Sequence, residues 1–192
     1  MKIVSTNKLL NYQDFLRYGN TFIETGTAAG DGVQRALNAG FKHIHSIEAS
    51  DHWYEICFER FRLDPKASIH FGLSTDVLKA HPHLFFETKS PIFFLDAHPS
   101  GPTSAGHSDL MQKGEQSEFN QDTILTREID IILELADQPI IMIDDQHGLD
   151  LYSQRYMDTI YRKHPNYIFE FYDENIGGNN FYKDKVLVAR YE

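Results

Sequence analysis

The sequence predicts a doubly wound α/β fold: a seven-stranded sheet of five parallel strands closed by a C-terminal antiparallel hairpin. Three observations lead there. Seven short stretches rich in β-branched and aromatic residues occur at 21–24, 43–48, 68–71, 92–96, 140–143, 167–172 and 185–189. Segments with helical period separate the first five, the alternation from which parallel sheets with crossover helices are built. The last two are joined by residues 173–184, rich in Asn and Gly and too short for a crossover helix, so they should pair antiparallel.

Size and composition fit one domain over residues 1–192. The chain is 41% hydrophobic and 24% charged, a balance that lets a globular protein bury its own core. No apolar run approaches the roughly 20 residues that span a bilayer, and the opening MKIVSTNKLL lacks the apolar centre of a signal peptide. A cytoplasmic protein with no membrane partner is expected. The lone Cys57 excludes a disulfide framework and reads as a buried structural thiol. A formal charge of −10, spread along the chain, argues against a nucleic-acid partner and favours a small or sugar-like one.

Helical faces can be drawn from the spacing of apolar residues. Val33, Ala36 and Leu37 share one face; Tyr54, Cys57, Phe58 and Phe61 share a second. On a third, Ile124, Ile131, Ile132 and Leu135 share their side with one polar exception, Glu128. Core packing explains each. Asp51 and Thr123 are the expected N-caps of the second and third helices. Residues 97–121 form a long polar stretch holding Pro99, Gly101, Pro102, Gly106 and Gly114. A loop of that length is usually functional, and it reads as a lid carrying His98, Ser100, Thr103, Ser104 and His107 over a substrate.

The segment FIETGTAAGDGV sets Glu24, Gly26, Thr27, Gly30 and Gly32 between the first strand and first helix, as E-x-G-x-x-x-G-x-G. Glycines there allow a sharp turn and close approach of backbone to a ligand. Glu48 ends the second strand, where a carboxylate can accept both hydroxyls of a ribose or simply meet solvent. No G-x-G-x-x-G fingerprint is present, which favours a nucleoside without pyrophosphate. Ser74 and Asp76, in FGLSTDVL, lie where such sheets meet an adenine, although Ser74 or Thr75 could equally cap a helix.

These residues resemble the class I S-adenosylmethionine methyltransferases, a Rossmann-like superfamily, over essentially the whole chain. The glycine motif, the acidic end of the second strand and the terminal hairpin carry the resemblance. It implies S-adenosylmethionine lying across the carboxyl edge of the sheet. Gly26 and Gly30 would flank its amino-acid portion, Glu48 would hold the ribose, and Glu24, Thr27, Ser74, Asp76 and Asp96 would complete the binding set.

The fourth and fifth strands end in FFLDAH and IIMIDDQH, so Asp96, Asp144 and Asp145 should converge at the same edge. Three gathered carboxylates repel one another, and Mg²⁺ or Mn²⁺ would relieve this. The arrangement resembles metal-dependent O-methyltransferases of the catechol and macrocin (antibiotic sugar) types. Asp96 matches their first ligand, and Asp144 with Asp145 the pair. The sugar-modifying enzymes place a candidate basic acid two residues after the first ligand; here that residue is His98. FLDAHPSG is also similar to a carbohydrate-linked branch with a D-A-H element. The resemblance implies methyl transfer to a hydroxyl of a sugar or glycan, with a metal lowering the hydroxyl pKa and His98 accepting its proton. Two other readings share the residues: a metal enzyme of the same fold resembling the cephalosporin hydroxylase group, and a nucleoside-binding protein without turnover. His147 could support the acids or touch substrate. His43, His45, His81 and His83 read as structural or surface residues.

Overall fold

The computed structural model describes residues 1–84, 90–175 and 181–192. The strands are β1 (Lys2–Leu9), β2 (Thr21–Thr25), β3 (His43–Glu48), β4 (Ala67–Phe71), β5 (Ile92–Leu95), β6 (Ile140–Ile143), β7 (Tyr167–Asn175) and β8 (Phe181–Tyr191). Among them run the helices α1 (Asp31–Ala39), α2 (Asp51–Phe61), α3 (Ser74–Ala80), α4 (His107–Lys113), α5 (Gln121–Leu135) and α6 (Leu151–Lys163). All eight strands form one sheet in the order β1-β7-β8-β6-β5-β2-β3-β4. The neighbours from β4 to β6 are parallel, and β8 runs antiparallel to both β6 and β7. The parallel half and the antiparallel hairpin are those the sequence predicts.

The sheet has eight strands, not seven. β1, with sequence KIVSTNKL, pairs in parallel with β7 at one edge. Its residues lie on the surface, and even Ile3 and Val4 are exposed, so the strand carries no buried apolar alternation to betray it. Pairing of backbone groups with β7 makes it a strand. Both arms of the hairpin also outrun their predicted bounds, β7 reaching Asn175 and β8 starting at Phe181. Residues 176–180, within the predicted connection 173–184, lie outside the described residues.

The central strands are buried on both faces, as helix-covered parallel strands are. Neighbouring residues therefore serve opposite sides. Ile23, Phe93, Ile141 and Leu187 join α5 and α6 in one core. Phe22, Phe94, Met142 and Val188 join α1, α2 and the short 3-10 turn Tyr12–Phe15 in the other. Burying each such side chain contributes about 1.5–3 kcal/mol.

Local capping differs from expectation at two helices. Ser50 and Asn120 occupy the N-cap positions, and Asn120 accepts from Asp122 N; Asp51 and Thr123 fall inside the first turns. Asp51 and Asp122 still place negative charge at the positive helix ends. Residues 97–121 are not a plain loop, since α4 forms within them. Among the described residues no helix is long and apolar enough to cross a membrane.

Candidate active site

The strand order reverses between β2 and β5, and the chain leaves these two strands in opposite directions. A crevice opens there, at the carboxyl ends, as in other doubly wound sheets. It is a cleft of about 370 Å³, lined among others by Gly26, Glu48, Ser74, Asp96, His98 and Asp145. That volume lies in the range of small-molecule sites.

The cofactor-side floor is built by the exit from β2. Gly26 has φ +84°, and a Cβ on it would stand 2.5 Å from the Asp96 carbonyl oxygen. Only glycine lets the end of β2 pass that close to the end of β5. The space it preserves is for backbone, not directly for a ligand. Gly30, also left-handed, N-caps α1 and packs against Phe61 and Cys57. A Cβ on Gly32 would fall 1.6 Å from Glu24 Oε1, so this glycine makes room for a carboxyl beneath the turn.

That carboxyl is buried, and burial pushes its pKa up to about 8. Ser46 Oγ donates to Glu24 Oε2 at 2.6 Å, and the Thr27 and Ser46 hydroxyls lie 2.6 Å apart. Glu24 and Thr27 thus brace the turn from below, outside the lining of the cleft. Glu48 ties the turn to β3: Ala28 N–H donates to its Oε2 at 2.9 Å and Ser50 N–H to its Oε1 at 2.7 Å. Each carboxylate oxygen keeps a further lone pair for a ligand. Ser74 lines the cleft at the start of α3, whereas Asp76 is exposed on the first turn and does not. Trp53, Leu73, Phe119 and Ile124 add apolar walls. Cys57 is buried, donates to Ala28 O at 3.0 Å, and has its thiol pushed up to about 11 by burial.

On the other side of the cleft, Asp96, His98, Asp144 and Asp145 all line the wall. Leu95 and Ile143 are the buried ends of adjacent parallel strands, which forces the residues after them together. His98 stands between two acids, Nδ1 at 3.4 Å from Asp96 Oδ1 and Nε2 at 3.1 Å from Asp145 Oδ2. Its pKa is raised, chiefly by the neighbouring Asp96 carboxylate. Asp144 is held up at about 7, first by burial and then by the charge of Asp96; its Oδ1 accepts from Asp145 N–H at 2.7 Å. Asp145 itself has φ +57°, a left-handed conformation that Asp tolerates better than most residues. His147 is exposed and His107 begins α4; neither lines the cleft.

Residues 97–121 cover this wall. Ser50 Oγ donates to Thr103 O at 2.6 Å, pinning the excursion to the start of α2. The Phe119 ring packs on Gly106, where a Cβ would be 2.0 Å from it. Pro99, Ser100, Ser104 and Phe119 reach the cleft.

Three functional candidates were not named from the sequence. Lys185 of β8 contacts Asp145 Oδ1 and lies 3.8 Å from Asp144 Oδ1, with its side chain 13% exposed. Glu174 of β7 lines the cleft and pairs with Arg35 at 2.7 Å. Glu128 of α5 is fully buried, accepts from Thr25 Oγ1 at 3.2 Å, and has its pKa pushed up to about 8 by burial. Glu128, a lone acid on an apolar helix face, was the only one of the three with a signal in the sequence.

The expected all-oxygen metal set of Asp96, Asp144 and Asp145 is met only in part, by Asp96 and Asp145. The group that gathers is Asp96, His98 and Asp145, each with a donor atom within 4.8 Å of the others. Imidazole in the set favours softer ions than Mg²⁺. Both Asp145 oxygens are engaged, Oδ1 by the Lys185 ammonium and Oδ2 by His98. Asp144 turns an oxygen back to the main chain.

No protein-family model and no curated protein matches the chain. Solved structures match it in fold. A candidate rRNA methylase from Clostridium thermocellum superposes with TM-score 0.56 at 14% identity, over 97% of this chain and 97% of that one. A candidate caffeoyl-CoA O-methyltransferase from Staphylococcus aureus gives 0.55 at 13%, over 94% and 80%. The methyltransferase domain of the bacterial protein CtHen1 gives 0.54 at 13%, over 92% and 92%. The chain has the class I methyltransferase fold; at such identities the likeness reaches no further.

Proposed function

We propose that this protein is an S-adenosylmethionine-dependent methyltransferase acting on a hydroxyl, and that the hydroxyl belongs to a sugar or glycan. The observation that carries the reading is one cleft at the strand-order reversal, with Glu48 on one wall and His98 held between Asp96 and Asp145 on the other. Glu48 and Ser74 would hold the nucleoside, and Gly26 and Asp96 the end that bears the methyl group. Glu24, Thr27 and Gly30 support that surface from below. When bound, S-adenosylmethionine supplies an electrophilic methyl group.

The chain's own part is to bind, orient and take a proton. A neutral His98 accepts the hydroxyl proton, and Asp96 and Asp145 fix the ring and stabilise the imidazolium that forms. No divalent cation takes part in this reading, for the reason developed below. Holding both reactants in one cleft can contribute up to roughly 7–11 kcal/mol of barrier lowering. Residues 97–121 serve as the lid, their Ser100 and Ser104 offering hydroxyls to a polar acceptor. The charge of −10 supports a neutral acceptor over a nucleic acid.

Calorimetry with S-adenosylmethionine, followed by mass spectrometry of a panel of glycans and other hydroxylated acceptors, tests the reading. Binding together with a mass gain of one methyl group on a sugar is expected. Binding without methylation of any acceptor would leave a nucleoside-binding protein.

A further inference from the structure

Lys185 stands where nothing in the reading above required a cation. The antiparallel register pairs Ile141 with Ala189 and Ile143 with Leu187, and continuing it sets Asp145 opposite Lys185. Gln146 N–H donates to Lys185 O at 2.8 Å, which fixes the backbone on both sides of that pairing. The ammonium contacts Asp145 and lies 3.8 Å from Asp144, while its side chain is 13% exposed. A stem that buried cannot swing freely into solvent and leave the acids to another partner.

Charge at the wall can then be counted. Asp96, Asp144 and Asp145 supply three acids; the Lys185 ammonium stands against Asp144 and Asp145, and the His98 ring stands between Asp96 and Asp145. A divalent ion entering would have to displace an ammonium from Asp145 and an imidazole from both Asp96 and Asp145. The Lys185–Asp144 pair, with both side chains 13% exposed, is lost only with a substantial desolvation cost to the partner left behind.

We infer that Lys185 is the resident cation of this site: its ammonium neutralises the Asp144–Asp145 pair in place of a divalent metal and positions Asp145 against His98. The role in methyl transfer rests on the function proposed above; the exclusion of metal does not. Lys185 acts through Asp145, as a positioning residue.

The intact protein is titrated with Mn²⁺ and followed by calorimetry, beside the variants Lys185→Met and Lys185→Arg. The parent is expected to bind Mn²⁺ more weakly than about 1 mM. Lys185→Met keeps the length of the stem and removes the charge, so its Mn²⁺ affinity should rise at least about tenfold. Lys185→Arg keeps the charge and should match the parent, which separates loss of charge from loss of fold. Parent binding tighter than about 1 mM, or a rise below tenfold in a folded Lys185→Met, overturns the inference. Should Lys185→Met not fold, the parent and Lys185→Arg titrations decide alone. Where turnover is measurable, excess chelator should leave the parent rate unchanged, and a chelator-sensitive rate overturns the inference too. Failure of the parent to bind S-adenosylmethionine would overturn the functional reading alone, because the Mn²⁺ titration needs no turnover.

Discussion

Replacing Glu48 with Ala should damage stability and cofactor binding together, because one carboxylate carries both. In the free protein it accepts two backbone N–H bonds, from Ala28 at 2.9 Å and Ser50 at 2.7 Å, at a residue only 7% exposed. Hydrogen bonds to a charged group contribute about 1.5–3 kcal/mol each, and the truncated site leaves both donors short of a partner. Taking the low end, because water can enter at the cleft, gives a loss of about 3 kcal/mol. For a chain of this size that corresponds to a fall in Tm of roughly 6–12 °C. The same change frees the turn at Ala28 and removes the ribose acceptor, so affinity for S-adenosylmethionine should drop at least tenfold, about 1.4 kcal/mol. Thermal melts of the free protein and calorimetry of the complex measure the two effects separately. A variant that melts with the parent would show that the two bonds do not hold the turn. One that binds the cofactor with parental affinity would remove Glu48 from the ribose site.

Three further outcomes follow from the site and its surroundings. His98→Ala should leave cofactor affinity intact and lower turnover by about 10²- to 10⁴-fold; because its neighbours raise the pKa of His98, the parent's rate should fall on the acid side at a pH above the ordinary histidine value, and a parental rate in the variant would retire it as the base. Glu24 and Glu128 have folded pKa values of about 8, above their ordinary range, so their contribution to stability is complete below about pH 4.5 and lost as pH rises through 8; Glu128→Gln should flatten that alkaline decline in Tm, and an unchanged profile would show that Glu128 is not held neutral. Removing residues 106–117, which takes out α4 but keeps Asp96 and His98, should spare cofactor binding while cutting acceptor methylation by about 100-fold; turnover at the parental rate would make the segment an insertion without function.

The sequence by itself determined the alternation of strands and helices, because burial on two faces leaves near-continuous apolar runs such as IFFL and IIMI that no other element explains. It also determined that Asp96, Asp144 and Asp145 line one cleft, since acids that follow adjacent parallel strands are delivered to one edge by the sheet itself. The polar exception Glu128 was visible as an anomaly on an apolar face, without any indication of what it touches. Other features were decided only in three dimensions. β1 exists because β7 offers it a row of unpaired backbone groups, and backbone pairing leaves no mark on side-chain periodicity. Gly26 is required by the Asp96 carbonyl, 70 residues further along the chain, and Gly32 by the carboxyl of Glu24. Lys185 reads in sequence as an ordinary charged residue at the start of a strand. Only the register of β8 against β6 turns it into the cation of the site, because a shift of one residue in that pairing would point its side chain to the opposite face.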